Sequence, residues 1–156
     1  MIRNLNLMAL CLGAAVTAFA ADPNIPTTPS GQPLSTQIAS EARSAHKLAS
    51  NVVETLKQKN ASLESVHESV SSIEKNITEI NRLVAELDGK RATMSPKQIA
   101  ELNRLKTLSE TMQVFLNNKK QMAEAGAENR QMVRSQAMAV RQRAELIEKT
   151  ALKIGG

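Results

Sequence analysis

The residues best able to do chemistry in this chain are few and scattered. Ser44-Ala45-His46-Lys47 and Ser72-Ile73-Glu74-Lys75 both match S-x-x-K, the spacing that pairs a serine nucleophile with a lysine in penicillin-recognising enzymes. That chemistry also needs the serine at a helix start in a deep cleft, with S-D-N and K-T-G motifs beside it, and neither motif occurs. Both matches are therefore expected to be polar residues on a solvated helical face. His46 and His67 are the two histidines. Neither has a second His or Cys four residues on, and H-E-x-x-H is missing, so no metal set is expected. On one straight helix they would stand about 30 Å apart. Paired carboxylates need a cleft to desolvate one of them, and the shape inferred below supplies none. Asn60-Ala61-Ser62 and Asn76-Ile77-Thr78 match the glycosylation sequon but fall within helical sequence,. No catalytic residue, metal or cofactor is expected.

Four arginines have a better claim to a role in binding. Arg130, Arg134, Arg141 and Arg143 border the apolar stripe of the second helical half, where charges select a partner helix and its orientation. They belong to the basic part of the chain: residues 93–156 hold eleven Lys or Arg against six acids, whereas residues 41–92 hold eight of each. An acidic polymer, an anionic membrane surface or an acidic helix could dock there. The competing expectation is internal pairing with glutamates such as Glu41 on the first helix, on a face that does no more than aid solubility.

Composition excludes several other tasks. Phe19 and Phe115 are the only aromatic residues, so the flat faces that stack sugars or unpaired bases are missing and no nucleic-acid partner is expected. The single cysteine, Cys11, lies in an N-terminal run that reads as a secretory signal: Arg3, an apolar stretch from Leu5 to Val16, then Ala18-Phe19-Ala20,. The stretch is shorter than the roughly 20 apolar residues of a membrane span. Residues 1–20 are expected to be removed after Ala20, leaving an exported chain, periplasmic or secreted, without thiols, disulfides or a transmembrane segment. Of 20 basic residues, losing Arg3 leaves 19 against 15 acids, a net charge of +4.

The elements that hold these residues are helices. Residues 21–34 carry Pro23, Pro26, Pro29 and Pro33 and read as an extended leader,. Residues 35–89 read as a first long helix. From Ile38 to Leu87 the heptad positions a and d fall on fifteen residues, fourteen of them apolar, Lys59 being the exception,. Asp88-Gly89 should end it, with glycine in the left-handed conformation and Lys90 and Arg91 beside the negative dipole end. Residues 90–95 form a turn. Ser95-Pro96-Lys97-Gln98 is a helix start with a capping box, opening a second helix over 96–154.

Two matched helices with a short link predict an all-α fold, a long antiparallel coiled-coil hairpin with each arm about 80 to 90 Å long. Leu56, Leu63, Val70, Ile77 and Ile80 face Leu105, Leu108, Met112 and Phe115 along its seam. The seam shifts register near Gly126, at the height of Lys59 and Asn60. That coincidence allows an alternative, a compact four-helix bundle with turns near those two points. In the hairpin Ala42, Ala45 and Ala49 come beside Ala137 and Ala144, small residue against small residue.

More apolar surface exists than one two-helix seam consumes: Val53, Leu83, Ile99, Leu102, Val114, Leu116, Met132, Met138, Leu146 and Leu152 lie off the main stripe. Such surplus marks association, either self-association or a docked partner helix. The expected function is that of an exported, non-enzymatic coiled-coil protein, a scaffold, spacer or assembly subunit. The alternative is a periplasmic holdase for unfolded exported proteins, its methionines adapting to varied clients.

Overall fold

The computed structural model describes residues 32–58, 63–117 and 129–156. Among these the chain is all-α, with four α-helices and no strand. They are α1 (Leu34–Thr55), α2 (Leu63–Asp88), α3 (Pro96–Asn117) and α4 (Arg130–Gly155), with a short 3₁₀ turn at Arg91–Thr93. None is long and apolar enough to cross a membrane. Lys59, Asn60 and Gly126, where the weak points of the seam were expected, lie outside the described residues.

The heptad pattern locates the interior correctly. Every a and d residue from Ile38 to Leu87 whose side chain is described is buried, Ala42, Ala45, Ala49, Ile73 and Ile77 completely. Continuity along the first half is a different matter. Residues 35–89 do not form one helix, because α1 stops at Thr55 and its last turn tightens: Lys57 N–H donates to Glu54 O at 3.2 Å and Gln58 N–H to Thr55 O at 3.1 Å,. The polar run Lys57-Gln58-Lys59-Asn60 offers no apolar residue to hold a further turn against a neighbour.

Each helix packs against two others. Asn76 on α2 bridges to α1, accepting from the Ser44 hydroxyl at 2.8 Å and donating to the Ser72 carbonyl on its own helix at 3.0 Å, in the amide orientation that satisfies both ends,. Lys106 and Asn81 tie α2 to α3, through Asp88 at 2.6 Å and through Gln113. Lys153 and Glu101 join α4 to α3 at 3.7 Å, and Arg43 joins α1 to Glu148 of α4 at 2.6 Å. The two ties between α2 and α3, 88 with 106 and 81 with 113, make that couple antiparallel. A straight two-helix hairpin contains the α1 to α4 and α2 to α3 pairings but has no place for contact between α1 and α2.

The same cross-packing uses up apolar residues that a two-helix seam leaves outside. Leu102 is fully buried, and Val53 and Leu83 nearly so, within one apolar cluster contributed by all four helices. Ile99 and Leu108 pack partly against it. Burial of a Leu stabilises by roughly 1.5 to 3 kcal/mol, so rows beyond a and d are a large part of what favours α1 lying against α2. On α3 the inward row is Leu102, Leu105, Ser109 and Met112, with Ser109 buried in place of Leu108. Its hydroxyl donates to the Lys106 carbonyl at 3.0 Å, which satisfies it without a partner from another helix,.

The turn between α2 and α3 follows its sequence signals with one change. Asp88 ends α2, but Gly89 does not take the left-handed conformation: its N–H still bonds Ala85 O at 3.1 Å and the chain runs on into the 3₁₀ turn. Glycine fits here because an added Cβ would lie 3.3 Å from the Glu86 carbonyl oxygen. Arg91 turns back to Asp88 at 3.1 Å. Ser95 and Gln98 form the capping box, with Gln98 N–H on Ser95 Oγ at 3.3 Å and Ser95 N–H on Gln98 Oε1 at 2.9 Å,.

Candidate interaction face

The four arginines divide between two sides of α4. Residues 133, 137, 140, 144, 147, 151 and 154 are its core row, and Arg130, Arg134 and Arg141 lie on the α1 side of that row. Arg130 donates from Nη2 to the Gln58 carbonyl at 2.7 Å, putting a cation just beyond the negative end of α1. Glu54 of α1 is held below the usual carboxylate range, first by a hydrogen bond from Lys57, with further help from the charges of Arg141 and Arg134. Arg143 is on the other side, lining a groove shared with α3.

Among the described residues no ion pair joins Glu41 to these arginines. Glu41 stands beside Glu79, and burial, then that like charge, raises its pKa. The acids on the α1 and α4 side are occupied by other bases: Glu54 by Lys57 at 2.7 Å, Glu145 by Lys149 at 2.6 Å and Glu148 by Arg43 at 2.6 Å. Among the described residues Arg134, Arg141 and Arg143 form no ion pair. The Nε of Arg134 is shut off from solvent with no hydrogen-bond partner there.

Because α1 neighbours α4 and α2 neighbours α3, charge is sorted between two sides of the molecule. Helices α1 and α4 together carry eight Lys or Arg against four acids, whereas α2 and α3 carry five against eight. Halving the sequence shows the basic C-terminal part but not this division, which appears only once α1 is placed next to α4. Several like charges on one side set up a surface potential that outlasts any single exposed ion pair, itself worth about 0 to 1 kcal/mol. Three large apolar residues also project from α4: Met138, Leu146 and Leu152, exposed to 37, 40 and 49%.

The seam residues whose side chains are described occupy the interior, apart from the half-buried Leu108. Ile77, Ile80, Leu105 and Met112 are at most 1% exposed, and Leu56, Val70 and Phe115 are also buried. The side chains of Leu63 and Leu116 lie outside what is described. Neither S-x-x-K serine begins a helix: Ser44 is midway along α1 and Ser72 midway along α2. Asn76 of the second sequon is committed to the α1 contact, while Asn60 of the first lies outside the described residues. His46 and His67 stand on two separate helices, α1 and α2, that pack against each other. Among the described residues no group of three His, Cys, Asp or Glu is placed to hold a metal ion.

Comparison of the chain with protein-family models, with curated proteins and with solved structures gives no match in any of the three.

Proposed function

We propose that this is an exported, non-enzymatic helical protein, folded as a compact antiparallel four-helix bundle, that works as a scaffold or assembly subunit by docking an acidic partner on α1 and α4. The observation that carries this reading is the surplus of cations there: Arg134 and Arg141 stand beside acids that Lys57, Lys149 and Arg43 already neutralise. Met138 lies between them on the surface of α4 and adds apolar contact, the combination of a central apolar anchor and charged rim that selects a protein partner. The spacer reading has less support, since helices of 22 to 26 residues span only about 33 to 39 Å. The holdase reading also loses ground, because Val53, Leu83 and Leu102, part of the apolar surface it would offer to clients, are buried.

The test is a photo-crosslinking residue placed at Met138 in the native cell, with Lys75 on the far side as control. Adducts from position 138 that disappear in an Arg134→Gln, Arg141→Gln chain are expected. Equal labelling from both positions, or none from 138, would overturn the proposal.

A further inference from the structure

Between α3 and α4 lies a groove of about 270 Å³, walled by Met112, Val114 and Phe115 from one helix and Ala139 and Val140 from the other. The ties between these helices, from Gln98 to Ile154 and from Lys153 to Glu101, gather at the opposite end, and Ala139 is too small to fill the gap. Val114 stands on the rim, 56% exposed.

The polar residues of its lining are Thr111, Gln136 and Arg143. Arg143 lines it and has no acid within ion-pair reach among the described residues. Gln136, seven residues earlier and so two turns along the same face, lines it as well. Its Oε1 is closed off from solvent and has no hydrogen-bond donor there. The two side chains are set about 10 Å apart along α4. A cation without an acid partner beside apolar walls describes an amphiphile with an anionic head.

We infer that the α3 to α4 groove is a binding site for a medium-chain aliphatic carboxylate, its carboxylate paired with Arg143 and its chain lying along Val140, Ala139 and Phe115. A planar guanidinium takes a carboxylate through two parallel hydrogen bonds. The hydrocarbon covers the exposed Val114. This site is separate from the basic face on α1 and α4.

Calorimetric titration of the protein with octanoate, 1-octanol and acetate tests the assignment. One octanoate per chain is expected, with acetate failing to bind. Arg143→Gln should weaken octanoate at least tenfold and leave octanol unchanged, whereas Arg141→Gln, which removes the same charge from the other side of α4, should change octanoate less than twofold. Ala139→Trp should block both chain-bearing ligands; if it fails to fold, methyl NMR shifts confined to Met112, Val114 and Val140 take its place. Equal losses from the two arginine variants would reduce the effect to net charge and overturn the site. So would undiminished binding in Ala139→Trp, shifts spread beyond the groove, or a dimer that seals the groove and that octanoate does not dissociate.

Discussion

Gln98 donates from Nε2 to the carbonyl of Ile154 at 3.1 Å while its Oε1 accepts the Ser95 N–H, so one side chain closes the start of α3 and the last turn of α4 together. Gln98→Ala loses both functions, and about 1 to 2 kcal/mol of stability should go with them. Gln98→Glu keeps the acceptor that the capping box needs but brings a carboxylate to the Ile154 carbonyl. It should fall between the two in urea unfolding. Equal stability of Gln98→Ala and the parent would show that the bond to Ile154 carries no weight.

The contact between α1 and α2 has a direct geometric consequence for Lys47 and Lys75, exposed residues on the two helices. On one continuous helix their 28-residue separation would be about 42 Å. Packed side by side, with helix axes about 8 to 10 Å apart, spin labels there should lie within about 25 Å of each other. The chain from residue 21 onward has no cysteine to compete for labelling. A distance distribution centred near 40 Å would remove the basis for the compact arrangement.

How much of this was legible beforehand can be read from particular residues. Period alone places Ile38, Ala42, Ile73 and Ile77 in the interior, and a four-residue signature places the Ser95-Gln98 cap. Continuity of the helix was not legible, because a and d rows look the same in a long coiled coil and in the core of an antiparallel bundle. The discriminating signal was the extra row, Val53, Leu83 and Leu102, which a two-stranded seam cannot bury. The division of the arginines depends on which helix lies on each side of α4, and nothing in α4 encodes that.

That extra row yields its own prediction. Leu102→Ala should cost about 2 to 5 kcal/mol, as expected for a buried leucine, whereas Val114→Ala, on an exposed rim, should change stability by no more than about 0.5 kcal/mol. Guanidinium unfolding of the two variants measures the difference. Similar small effects would mean that Leu102 is solvent-facing and that the surplus apolar surface remains available to other chains.

Ser35 and Gly155 bring the start of α1 against the end of α4. Ser35 is 1% exposed with no partner for its hydroxyl among the described residues, and a Cβ on Gly155 would meet that oxygen at 2.6 Å. Gly155→Ala should therefore destabilise by about 1 to 3 kcal/mol through overpacking. Ser35→Ala should be neutral or mildly stabilising, since it removes a buried, unsatisfied hydroxyl. The double variant should recover most of the loss, because the nearest remaining contact, Ser35 Cβ at 3.5 Å, is ordinary van der Waals distance. Additive effects in this cycle would place the cost of Gly155→Ala elsewhere.

Two carboxylates should shape acid stability in opposite directions. Asp88 is held below its ordinary value of 3.8, first by the Lys106 hydrogen bond and then by that of Arg91. A depressed folded pKa contributes stability that is present above 3.8 and lost as pH falls through the lower folded value. Solvent screening keeps that contribution near 1 kcal/mol. Asp88→Asn should thus lower the melting temperature by a few degrees at pH 7, and the two curves should converge below pH 3.8. Glu41 behaves in the reverse sense: burial and Glu79 raise its folded pKa above 4.5, so its ionised form costs stability at neutral pH and protonation relieves that cost as pH falls toward 4.5. Glu41→Gln should be more stable than the parent at pH 7 and lose the advantage on acidification. A constant difference across the titration, for either variant, would show that the change acts through packing and that charge plays no part.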